Sequence, residues 1–178
     1  MESEAGADEE CHWLGCPCTG NPSLMQNSEL FNKYLEPLIL TFLKDRVSAI
    51  RAAAIERIPD LAKNYGANWI NSFVGKLNDV IAKDPCFHFK IAAIYSLKEI
   101  CLSVHGEAFL EKALSLIISA SKEPVPNIRE VCVKVEREIA SRFDKPSIRE
   151  TIKKHILSLA EDPDLEVRIT VADIQGKI

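Results

Sequence analysis

Apolar and polar positions along this chain repeat on two scales. Within each stretch, apolar residues recur at spacings of four and seven; between stretches the whole pattern recurs every 39 residues. Four acids mark the period: Asp45, Asp84, Glu123 and Asp162. Ahead of them stand Phe31, Ile70, Phe109 and Ile148, then Leu35, Val74, Ala113 and Ile152, then Phe42, Ile81, Ala120 and Leu159. Spacings of four and seven place one apolar stripe on the face of an α-helix. Behind the acids come Ala53, Ala92, Val131 and Thr170, and then Leu61, Ile100, Ile139 and Ile178. Each unit therefore reads as a helix, a short acidic turn and a second helix. The expectation is an all-α chain, an α-α superhelix of four repeats spanning 28–66, 67–106, 107–144 and 145–178.

The turns carry their own chemistry. They read KDRVSAIR, KDPCFHFK, KEPVPNIR and EDPDLEVR, and a base closes each one at Arg51, Lys90, Arg129 and Arg168. Pro85, Pro124 and Pro163 stop the first helix just after the acid. The acid accepts backbone N–H groups at the start of the second helix and favours its positive end. The base falls about two helical turns later on the same side, so acids and bases of stacked repeats predict a ladder that sets register. As exposed pairs, its rungs stabilise only about 0–1 kcal/mol each. Gly66 and Gly106 are placed as the left-handed residues that end second helices. Pro37 and Pro59 fall inside helices and predict kinks. The absence of sustained heptads excludes a straight coiled coil.

Residues 1–27 look different. Residues 1–30 hold six acids and no Lys or Arg, leaving 22 bases against 20 acids in the rest of a chain of net charge −4. Gly15, Pro17, Gly20, Asn21, Pro22 and Ser23 break any helical pattern, so 1–27 reads as a flexible acidic tail and 28–178 as the folded domain. Asn27 and Ser28 are suitable first caps. The acidic N-terminus is unlike a secretory signal, and no apolar run is long enough for a membrane span. A cytoplasmic protein is expected, with the nucleus also open to it. The charge balance argues against nucleic acid as a partner. Of six cysteines, Cys86, Cys101 and Cys132 sit in helical patterns as small buried hydrophobes. Cys11, His12, Cys16 and Cys18 are spaced C-x4-C-x-C with no second ligand pair, a poor match to a zinc site, so neither metal nor cofactor is expected.

A period near 40 with two helices per unit is the signature of HEAT or armadillo repeats. The turn form D-x-x-x-x-[IV]-[RK] resembles HEAT at Asp45/Ile50-Arg51, Glu123/Ile128-Arg129 and Asp162/Val167-Arg168. VSAIRAAAIERIPDLAKNYGANW, DPCFHFKIAAIYSLKEIC, EPVPNIREVCVKVEREI and DPDLEVRITVA resemble, in order, C-terminal repeats of the scaffolding (A) regulatory subunits of protein phosphatase 2A. The resemblance covers roughly residues 30–172. Protein phosphatase 4 regulatory subunit 1, another HEAT protein, has similar turns. Departures from the family are the four-repeat length, Glu136 where other units carry Ile58 and Leu97, and the ending ADIQGKI in place of an apolar closing helix. A missing cap implies exposed apolar surface, and with it marginal stability or self-association.

The resemblance implies a non-catalytic scaffold that grips a serine/threonine phosphatase catalytic subunit, with further regulatory subunits as additional partners. The turns would form the binding ridge. The matching positions are Arg46, Ser48 and Arg51, then Cys86, Phe87, His88 and Lys90, then Val125, Asn127 and Arg129. Phe87 flanked by charge has the make-up of an interface anchor, with burial beneath the second helix as its structural alternative. A HEAT adaptor for another complex, or a truncated scaffold fragment, fits the same residues. Catalysis has little support. His12, His88, His105 and His155 lie in no metal or nucleophile motif, and His155 replaces Leu38, Leu77 and Leu116 of the other units.

Overall fold

A computed structural model describes residues 30–103 and 107–175. The tail 1–27 with its Cys11, His12, Cys16 and Cys18 cluster, the boundary at residues 27–28, and the expectations for His105, Gly106, Gly176 and Ile178 lie outside the described residues. The described chain is all-α, with seven α-helices and no strand: α1 (Glu36–Leu43), α2 (Ser48–Lys83), α3 (Phe87–Ser103), α4 (Glu107–Ala120), α5 (Pro126–Arg142), α6 (Pro146–Ser158) and α7 (Leu165–Gln175). Among the described residues no helix is long and apolar enough to cross a membrane.

By internal contacts the chain divides into Met1–Pro37 and Leu38–Ile178. In the first unit, Phe31–Leu35 forms a π-helical turn with Phe31 fully buried. Helical backbone continues through Glu36 into α1, so Pro37 lies inside a continuous helical path whose wider π-helical turn precedes it. The irregularity expected at Pro37 is therefore a widened turn ahead of it.

In the second unit α2 is one element by hydrogen bonding but two by geometry. Gly66 has φ 70°, in the left-handed region, and separates an arm of residues 48–65 from an arm of residues 67–83. This is the expected helix-ending glycine. The backbone stays helical through Pro59, so the expected kink is absent there and the chain turns at Gly66 instead. Trp69 and Phe73 stack across the next turn, with ring centroids 4.8 Å apart, and Tyr65 lies 6.2 Å from Trp69.

Helices then pack in a regular order. α3 lies against α2 and α5, and α5 lies against α7; α4 packs on α3 and α5, and α6 on α5 and α7. The second helix of each unit thus stacks on the second helix of the next. The core follows the expected stripes: Ile70, Val74, Ile81, Ala92, Ile100, Ala113, Ala120, Val131, Ile139, Ile148 and Ile152 are all buried. Val135, Leu97 and Ile58 fill the space between neighbouring helices at 0% exposure. Burial of each such side chain contributes roughly 1.5–3 kcal/mol, which makes the apolar stripes the main source of stability.

The conformation of Gly66 makes a clear expectation. A Cβ at this position would touch nothing within 4 Å, so only backbone strain opposes it. Gly66→Ala should lower stability by about 1–2 kcal/mol in thermal or urea unfolding, while Gly75→Ala, at helical φ and equally open, should not.

Candidate functional site

The turns between first and second helices combine two devices, a carboxylate cap in three of the four and an arginine brace in three of the four. Each acid sits three residues ahead of its second helix. Asp45 Oδ1 accepts the Val47 N–H at 2.7 Å, Asp84 Oδ1 the Cys86 N–H at 3.0 Å, and Asp162 Oδ1 the Asp164 N–H at 2.9 Å. Carboxylates so placed satisfy donors that the helix start leaves free. The arginine two helical turns later folds back over the same turn. Arg51 Nη1 donates to the carbonyls of Asp45 (2.8 Å) and Arg46 (3.1 Å). Arg129 Nη1 does so to Glu123 (3.0 Å) and Pro124 (2.8 Å), and Arg168 Nη1 to Asp162 (2.7 Å) and Pro163 (3.1 Å).

Two of the bases, Lys90 and Arg129, reach the next unit. Lys90 Nζ lies 2.9 Å from Glu123 Oε1. Arg129 places Nε on Asp162 Oδ2 and Nη2 on Asp162 Oδ1, both at 2.8 Å, a bidentate pair. At the first junction the rung changes hands: Lys44 Nζ, not Arg51, holds Asp84 Oδ2 at 2.7 Å. Contrary to the expectation of exposed rungs, Lys90, Arg129 and Asp162 are buried. The Arg129 hydrogen bonds hold the Asp162 carboxyl below the usual carboxylate range. Burial pushes Asp84 upward, but Lys44 and the Cys86 N–H outweigh it and leave Asp84 lowered as well. A second line of contacts runs between second helices, with Lys98 Nζ 2.8 Å from Glu138 Oε2 and Thr170 Oγ1 donating to Glu130 Oε1 at 3.3 Å.

The ten residues expected to form a partner-binding ridge therefore separate into two groups. Lys90 and Arg129 are buried and engaged in the ladder, and Arg51 is half-buried over its own turn. Arg46, Ser48, His88 and Asn127 are exposed, and Cys86, Phe87 and Val125 half-exposed. The structure brings Cys86, Phe87 and His88 together. The Phe87 and His88 rings lie 3.9 Å apart between centroids, and Cys86 Sγ is 4.0 Å from His88 Nδ1. Cys86 thus stands in the turn rather than in the core, unlike Cys101 and Cys132, which are buried. Burial pushes the Cys101 thiol up to about 12 and raises Cys132 too, aided by the charge of Glu136, so both are unreactive.

A polar chain lies in the core where the apolar pattern predicts none. Glu136 is fully buried, with His155 Nδ1 2.8 Å from its carboxylate; His155 Nε2 lies 2.8 Å from Ser121 Oγ. Ser121 Oγ in turn donates to the Ile118 carbonyl at 2.8 Å. The order carboxylate, imidazole, hydroxyl is that of a nucleophile relay, yet Ser121 is 5% exposed and its proton is committed to a carbonyl. It ties α4, α5 and α6 together rather than activating an oxygen. Burial raises the Glu136 carboxyl, and His155 draws it partly back. Sequence reading marked Glu136 and His155 separately as departures in apolar columns; that both columns fail in adjoining units was the signal that they pair. The groove between α4 and α6, about 190 Å³ and lined by Leu114, Ile118, Ile148 and Thr151 among others, is too small for most ligands. No metal-binding cluster occurs among the described residues. Comparison with protein-family models and with curated proteins gave no match.

Four expectations rest on these contacts. Arg129→Ala leaves Asp162 buried without its counter-charge and should cost about 3 kcal/mol in urea unfolding at neutral pH. Because Asp162 and Asp84 titrate low in the fold, their contributions hold above the ordinary carboxylate pKa and fade as pH falls through the lowered values; Asp162→Asn should flatten that acid limb. Glu136 has the opposite sign. His155→Leu should be destabilised by about 3 kcal/mol at neutral pH, and the deficit should shrink as acid protonates Glu136. Glu136→Leu/His155→Leu, which restores the apolar columns, should be at least as stable as the parent, by thermal unfolding.

Proposed function

We propose that the chain is a four-repeat HEAT solenoid of the protein phosphatase 2A scaffold type. In this reading it is a non-catalytic scaffold that binds a serine/threonine phosphatase catalytic subunit along its turns. The observation that carries the reading is the half-exposed Phe87 ring against the exposed His88 ring, in a turn capped by the Asp84 carboxylate on the Cys86 N–H. A capped turn presenting a half-exposed aromatic ring has less ordering to lose on binding, which favours an anchor role. Arg46 and Ser48 on one side and Val125 and Asn127 on the other extend the surface across three turns. Lys90 and Arg129 act beneath it, holding the spacing between turns rather than touching the partner.

The test is a titration of the full chain against purified protein phosphatase 2A catalytic subunit. Micromolar or tighter binding is expected, with a loss of at least tenfold, about 1.4 kcal/mol, in Phe87→Ala/His88→Ala. Asn127→Ala should weaken binding less. Absence of binding by a folded sample would sink the phosphatase reading and leave the repeat organisation untouched.

A further inference from the structure

The ladder has an unused half at each end of the described chain. At two of the three internal junctions a base pairs with the acid 33 residues on, Lys90 with Glu123 and Arg129 with Asp162, while at the first Lys44 takes Asp84 in place of Arg51. Arg168 is posed like Arg129, with Nη1 on the two carbonyls of its own turn, but has no carboxylate partner among the described residues. Asp45 is posed like Asp162, with Oδ1 on the N–H two residues ahead, and has no side-chain cation partner among the described residues. One end thus offers an oriented guanidinium edge and the other an oriented carboxylate.

Apolar exposure follows the same division. In the column of Ile50, Ile128 and Val167 are fully buried, whereas Ile50 is 38% exposed. In the column of Ala172, Ile94 and Val133 are fully buried, whereas Ala172 is exposed. Beside it on α7 stands Ile169, at 45% exposure. Internal junctions place a residue of one second helix against the residue 40 further on, as in Lys98–Glu138 and Glu130–Thr170. Continued past the end, that rule sets Ile169 on the position equivalent to Ala53, which is exposed on α2.

We propose that the α6–α7 end of one chain docks on the α2 start of a second copy of this chain, head to tail. Arg168 of one copy meets Asp45 of the next, and Ile169 covers Ala53 beside Ile50. The two faces are different patches, so the contact is heterologous and extends from copy to copy rather than closing as a symmetric dimer. The proposal does not depend on a phosphatase partner.

Light scattering or sedimentation of the full chain over a concentration series tests it. Mass should rise beyond two chains, and salt should weaken association. Ile50→Asp blocks only the α2 face and Ile169→Asp only the α7 face. Both residues are exposed, so helical content should be retained by circular dichroism. Each variant alone should be monomeric, and an equimolar mixture should form a discrete two-chain species. Arg168→Gln, which removes the positive charge from an otherwise helical position, should weaken association by about tenfold. A chain that stays monomeric at all concentrations, an assembly that survives both aspartate variants, or a mixture that fails to recover two-chain mass would overturn the proposal.

Discussion

A carboxylate placed three residues before a helix holds this molecule in register. In Asp162 and Asp84 one oxygen satisfies an N–H of the turn while the carboxylate receives a cation from the preceding unit. Helix start, turn shape and spacing between units are thus fixed by one functional group. The apolar stripes supply most of the free energy, but they are greasy and permissive; alone they tolerate sliding. Charge-assisted hydrogen bonds with a fixed fork do not. The arginine brace makes the fork rigid by spending one nitrogen on its own turn and leaving the other edge aimed outward.

The Glu136–His155–Ser121 chain shows what happens when the apolar rule is relaxed. Three groups that each resist burial are satisfied by one another and by the Ile118 carbonyl. The arrangement joins three helices through directional contacts where neighbouring units use aliphatic ones. His155 Nδ1 lies 2.8 Å from each Glu136 oxygen, so one imidazole edge faces the whole carboxylate. The network's character is structural because the hydroxyl lies beneath the surface and faces a carbonyl.

Much of this was legible in the sequence because it is periodic. The 39-residue recurrence located every turn, Gly66 announced the break in α2, and the acid–base spacing announced a ladder. What escaped reading depended on distances that periodicity does not contain. Lys44 takes Asp84 from Arg51, although Lys44 directly precedes the marked acid Asp45. Burial of Lys90 and Arg129 follows from the approach of the next unit, so residues that look like surface contacts in the sequence are interior braces. Pro59 is absorbed without a break, which a local rule has no means to foresee. Of the expected ridge, the chain brings Cys86, Phe87 and His88 into contact, and that contact arises within a single turn.

The change of rung at the first junction has a mechanical meaning. The junction at Asp84 is clasped by a single flexible ammonium whose side chain is 42% exposed, whereas the junction at Asp162 is clasped by a planar fork at 10% exposure. An ammonium turns freely about its one contact, while a fork with two parallel bonds resists rotation as well as separation. The first clasp is a ball joint and the second a hinge pin.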